Sequence, residues 1–333
     1  MMMSHRLRGV PCVLIVLAAC SSAAPRAHTT STPTSTPKTS KPATGRSPGP
    51  TGSLARLPYD VERAAGAVVG GTGYLLGGLV PGDRSVSPIL SVDLTTGVAR
   101  RIAALPAAAH DAAAVALGGN IYLLGGSGSS GTLVQRFDPS SRSVTTVGTL
   151  PRTLSDLGAV AVGNTIYVVG GFDGQHARRE ILATTDGRMF TVAAMLPRGL
   201  RYMAVAAAGS KLLIVGGQTD SSLASRDVLL ADPATGSVQQ LGTLPVANAH
   251  AVAVVRGDVA FVIGGRDAAG RPTARVWRIS LPGGSIAAAA PLSIPLADAT
   301  LLAGADRTIL AGGATGSAPQ GGETSKEILF PQH

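Results

Sequence analysis

Cysteine is almost missing from this 333-residue sequence: Cys12 and Cys20 are the two copies, both near the start. The remainder of the chain has no disulfide available and must hold itself together by packing and sheet closure. Long apolar runs are missing too. The stretch 10–19 is too short to span a bilayer in a mature protein. Charged residues make up 14%, and lysine is limited to Lys38, Lys41, Lys211 and Lys326. No G-X-Y period orders the 43 glycines, which excludes collagen and points to turns. No GxxxxGK[ST] frame surrounds any glycine pair, so no phosphate-cradling loop is expected. Against these absences stands a hydrophobic fraction of 45%, enough for a large core and too apolar for general disorder.

The net charge of +9 is unevenly spread. Residues 1–53 hold Arg6, Arg8, Arg26, Arg46, Lys38 and Lys41 and no acid, which leaves 22 basic against 19 acidic residues, a net +3. A nearly neutral main domain gives no footprint for nucleic acid. His5, Arg6 and Arg8 precede the apolar stretch 10–19, which ends Leu17-Ala18-Ala19-Cys20. This order resembles the lipobox of bacterial lipoproteins. The resemblance implies a signal peptide over 1–19 and lipidation of Cys20, with the protein held on the outer face of the cell membrane. Residues 20–52 are Ser/Thr/Pro-rich without apolar periodicity and are expected to form a tether.

From residue 53 onward the sequence repeats. A strand-like run ends in Gly-Gly six times, at Gly78, Gly126, Gly171, Gly217, Gly265 and Gly313, with spacings of 48, 45, 46, 48 and 48 residues. A Leu-Pro, a strand of small residues and a Gly-centred hairpin precede the pair. From Pro58, Pro106, Pro151, Pro197 and Pro245 the hairpin glycine lies 12 residues on. A variable loop, a third strand, a turn such as Asp232-Pro-Ala-Thr-Gly236 and a fourth strand follow. A period near 50 built from four strands predicts a propeller. The sixth unit lacks a fourth strand, while 53–58 reads as an orphan one, so the N-terminal strand is expected to complete the last blade.

On these marks, residues 53–333 resemble the kelch-repeat family, which implies an all-β, six-bladed β-propeller with four antiparallel strands per blade. Two family features are missing. The places of the usual Tyr and Trp around the turn hold Val92 and Ala99, Phe137 and Val144, Ala231 and Val238, and Ile279 and Ile286. The family's Arg three places after the proline is replaced by Val61, Ala109, Leu154, Leu200 and Asn248.

The positions five after each proline are Arg63, Asp111, Asp156, Tyr202 and His250, with Asp298 nearest in the irregular sixth unit. His110 and Arg201 precede two of them. These side chains are expected to ring the mouth of the central channel, either contacting a ligand or hydrogen-bonding loop backbone and water. Phe172, Asp173, His176 and Arg266 come from the loops after the second strands. His110, Asp111, Asp156 and His250 have ligand chemistry that suits zinc, but they come from different units, and no metal is assigned. A copper-radical oxidase of the kelch-like kind needs a cysteine near its site, and the mature propeller has none. The expectation is a monomeric, cofactor-free binding or scaffold module for a protein or envelope glycan, without catalysis. The alternative is a carbohydrate-active enzyme such as a mutarotase or epimerase, with Asp111 and Asp156 as paired acids.

Overall fold

The computed structural model describes residues 53–316 and the strand Glu327–Leu329. The signal segment, Cys20 and the tether lie outside the described residues. Five stretches each fold into a four-stranded antiparallel meander: blade 1 (65–104), blade 2 (113–149), blade 3 (158–195), blade 4 (204–243) and blade 5 (252–288). Blade 3 shows the plan, with strands Gly158–Val162, Thr165–Val169, Glu180–Thr184 and Thr191–Met195 in that spatial order. The first strands, rich in Ala and Val, stand side by side around the axis. Their small side chains suit a place where the sheets converge. The second strands are buried on both faces: Ile166, Val168 and Val169 are wholly inaccessible. Each such side chain contributes roughly 1.5–3 kcal/mol through burial.

The expectation of six blades is corrected to five contiguous ones. The remaining sheet is a composite drawn from both ends of the described chain. Thr300–Ala303 and Thr308–Ala311 pair with each other, Glu327–Leu329 joins the second of them, and Ser53–Arg56 lies outermost. It is a weaker construction than a blade. Glu327–Leu329 registers with Thr308–Ala311 at two positions, whereas the matching strands of blade 3 register at four. The pairing with Ser53–Arg56 shifts register between Ser53 and Ala55. The physical reason is that the last unit has shorter strands and no fourth strand of its own, so its outer half must be recruited from the opposite end.

Gly-Gly is the joint between neighbouring sheets. The second glycine donates its N–H to a carbonyl in the segment leading into the next sheet: Gly78 to Ala109, Gly126 to Leu154, Gly171 to Leu200, Gly217 to Asn248, Gly265 to Leu296 and Gly313 to Val61, all at 2.8–2.9 Å. The first glycine sits at φ between 55° and 66°, and a Cβ there would strike the same carbonyl. Both a left-handed backbone and close approach are required, which only glycine supplies. The acceptors Val61, Ala109, Leu154, Leu200 and Asn248 are the positions where the usual kelch Arg is missing, and they are buried.

Candidate functional site

A second set of backbone hydrogen bonds lies where the loops converge on the axis. Arg63 N–H donates to the Asp298 carbonyl, Asp298 to His250, His250 to Tyr202, Tyr202 to Asp156, Asp156 to Asp111, and Asp111 back to Arg63, at 2.9–3.1 Å. The cycle is closed. Each member has φ between 51° and 57°. The residue before each member bridges to the residue after the Gly-Gly of its own sheet, as in His110–Ser127, Ser155–Phe172, Arg201–Gln218 and Ala249–Arg266. The repeat period thus delivers one polar side chain per sheet to one place.

These side chains line a pit of about 170 Å³. On one side Asp298 is the hub. Its Oδ1 meets His250 Nδ1 at 2.6 Å, its Oδ2 accepts from Arg266 Nε at 3.0 Å and lies 2.9 Å from Arg266 Nη2, and Arg63 Nε is 3.6 Å from Oδ1. Burial opposes its ionisation, but His250, Arg63 and Arg266 together outweigh burial and hold the carboxyl well below the usual range. On the other side Asp111 has Arg63 Nη1 at 3.3 Å and His110 Nε2 at 3.7 Å, and Asp156 has Arg201 Nη1 at 3.4 Å. Burial pushes both carboxyls up, and the neighbouring Asp156 charge pushes Asp111 further. Burial lowers His110, assisted by Arg63, while its Nδ1 is 2.8 Å from Ser85 Oγ. Tyr202 stacks on His250 with centroids 3.8 Å apart, and burial keeps its phenol protonated.

The pit continues outward through Arg201. Its guanidinium lies 5.3 Å from the Tyr202 ring centre and 4.6 Å from that of Phe172. Asp173 belongs instead to its own loop: it accepts from the Gln175 and His176 N–H groups and pairs with Arg178 at 3.2 Å. Arg63, His110, Asp111, Asp156, Arg201, Tyr202, His250 and Arg266 are therefore brought together, Phe172 stands at the rim, and Asp173 stands apart. Among the described residues, no group of three or more His, Cys, Asp or Glu is arranged to hold a metal ion.

A family model described as the kelch motif matches residues 153–184, the leading segment and first three strands of blade 3. The solved structure titled "Structure of YjhT" superposes with a TM-score of 0.70 at 17% identity, covering 83% of this chain and 96% of that one. No curated protein matches the sequence. The fold is a β-propeller, and its third blade carries the kelch motif. The expected aromatic places around the turns are filled mostly by smaller residues, buried before the turn and half-buried after it. Val92, Ala231 and Ile279 are inaccessible, and Phe137 packs edge-on to Tyr74 at 5.6 Å. Three participants escaped the sequence analysis. Glu62 is buried 3.7 Å from Arg63 Nε, Ser85 holds His110, and Asp220 accepts from the Ala177 N–H in blade 3's loop and sits 3.4 Å from His176. Glu62 was within reach, since it occupies the same repeat position as His110 and Arg201.

Proposed function

We propose that this kelch propeller is a non-catalytic binding module that receives a projecting group of a protein or glycan of the cell envelope in its polar ring. The observation that carries the reading is the ring's backbone. Six polar, non-glycine residues adopt left-handed φ, at roughly 1–2 kcal/mol each. Glycine would relieve that strain, so the side chains are retained for what they do in the pit. Two further facts agree. Arg201 Nε is a buried donor without a hydrogen-bond partner among the described residues, whereas Arg63 Nε already faces the Asp298 and Glu62 carboxylates at 3.6 and 3.7 Å. The pit is also smaller than the ~300 Å³ at which pockets that engulf small molecules begin. It suits one functional group of a larger partner. In this reading Cys20 is lipidated, the tether lifts a monomeric propeller off the outer face of the membrane, and neither cofactor nor nucleic acid is involved.

The test is crosslinking and pull-down in cells with the full chain, compared with a variant carrying Arg63→Ala, Tyr202→Ala and His250→Ala. One stoichiometric partner lost in the variant supports the module. A sugar-converting enzyme is the second reading, favoured by two adjacent carboxyls, Asp111 and Asp156, that burial raises, as the carboxyls of acid–base catalysts commonly are. Anomerisation of an envelope sugar well above buffer rates, abolished by Asp111→Ala and Asp156→Ala, would replace the first reading with the second.

A further inference from the structure

Blade 1 differs from the other blades in one respect. After its Gly-Gly the chain forms a small hairpin, Leu79–Val80 with Arg84–Ser85, the one two-stranded sheet among the described residues. The hairpin roofs a cavity of about 870 Å³. The floor and walls come from Pro58–Tyr59–Asp60 on one side and from Val86, Pro88, Leu90 and Arg101 on the other. None of the six ring residues lines it. The volume falls within the ~300–1,000 Å³ of small-molecule pockets. The lining is mixed, its apolar part drawn from prolines and from Val80, Val86 and Leu90 at the edge of the core.

Ser85 Oγ in this cavity is taken by His110, but Tyr59, Arg84 and Arg101 are not so committed. The Tyr59 hydroxyl is buried without a hydrogen-bond partner among the described residues. Such a group costs about 1–3 kcal/mol until it finds one. Arg84 and Arg101 form no ion pair among the described residues. Asp60 is the acid on the lining, so the lining charge is one positive in excess. Tyr59 and Arg101 line the same pocket, and the Arg101 charge partly offsets the rise that burial gives the Tyr59 phenol. We infer that the cavity beneath the Leu79–Ser85 hairpin is a second binding site, for a singly charged oxyanion carried on an apolar body. Tyr59 donates to the anionic head, Arg101 and Arg84 neutralise it, and the proline and valine walls cover the body.

The cavity meets the polar site only through the Ser85–His110 hydrogen bond, so the probes are chosen to separate the two. Titration calorimetry on the purified protein compares 4-phenylbutyrate with the monoanionic diester methyl phenyl phosphate and with neutral 4-phenylbutanol. Saturable binding of an anion, with the alcohol at least tenfold weaker, is expected, and the preferred anion tells a carboxylate from a phosphate source. Arg101→Ala and Tyr59→Phe should each weaken binding about tenfold, the scale of one hydrogen bond to a charged group. Arg63→Ala should leave it unchanged. Tyr59→Phe removes a single oxygen, so its melting curve separates lost binding from lost folding. Absence of saturable binding, equal binding of the alcohol, or loss in Arg63→Ala alone would overturn the assignment.

Discussion

The Gly-Gly joints and the polar ring are both closed cycles of backbone hydrogen bonds at left-handed φ, yet one excludes side chains and the other keeps them. At the joints, added carbon collides with a carbonyl of the next sheet, and the requirement is purely geometric. At the ring the same backbone strain is borne by Arg, Asp, Tyr and His. The joints therefore report how the propeller is assembled, and the ring reports what it carries. The ring itself divides in the same way. Asp298 is held ionised by three cationic or ring-nitrogen partners, while Asp111 and Asp156 are driven toward neutrality by burial.

The sharpest way to break this division is at the hub. Asp298→Asn leaves Arg266 and His250 buried without their carboxylate and should cost about 3–5 kcal/mol at pH 7, read by urea denaturation. Because the Asp298 carboxyl is lowered by folding, its contribution is present above the unfolded value near ~4 and fades as pH falls through the folded one. At the joints, Gly170→Ala should cost about 2–3 kcal/mol, since it adds both strain at φ 55° and a clash with the Leu200 carbonyl. A neutral result at Gly170 would remove the geometric account of the repeat.

Asp111→Asn tests the opposite face of the ring and should be smaller. The Asp111 carboxyl is raised by folding, so the unfolded chain releases its proton first. Stability from this group is unaffected at low pH and declines as pH rises above the unfolded value near ~4 toward the folded one. The variant should flatten that decline, with little loss at acid pH and relative gain at pH 8. A steeper decline in Asp111→Asn would mean that Arg63 holds the carboxylate ionised after all.

Much of this was legible because repetition multiplies weak signals. One Gly-Gly says little; six at a near-constant spacing fix the strand plan, and counting five places from each proline reached Arg63, Asp111, Asp156, Tyr202 and His250. The counting failed where the repeat did. Asp298 follows Leu292 by six residues, as Arg63 follows Leu57, but Ser293 stands where the other units have proline, so the count had no mark to start from. The blade count failed for a related reason: sequence period counts units, whereas a blade needs four strands that pair fully. Ser85 and Asp220 were invisible for another cause. Each acts on a loop of a different unit, 25 and 43 residues away, and no local pattern encodes such a meeting. The missing kelch Arg reads differently in structure, since Leu154 and Leu200 there serve the joint through their backbone carbonyls.

The smallest expected effect is at the rim, and it separates folding from recognition most cleanly. Phe172 touches the ring through Arg201, whose guanidinium lies over its face. Such a half-buried pair at the rim is worth about 1 kcal/mol. Phe172→Ala should therefore barely move the denaturation midpoint, while freeing Arg201 to leave Asp156. If the ring receives a partner's group, partner capture should drop by far more than stability, because Arg201 no longer points its donor into the pit. Equal, small losses in both would assign Phe172 to loop packing and confine recognition to the six ring positions.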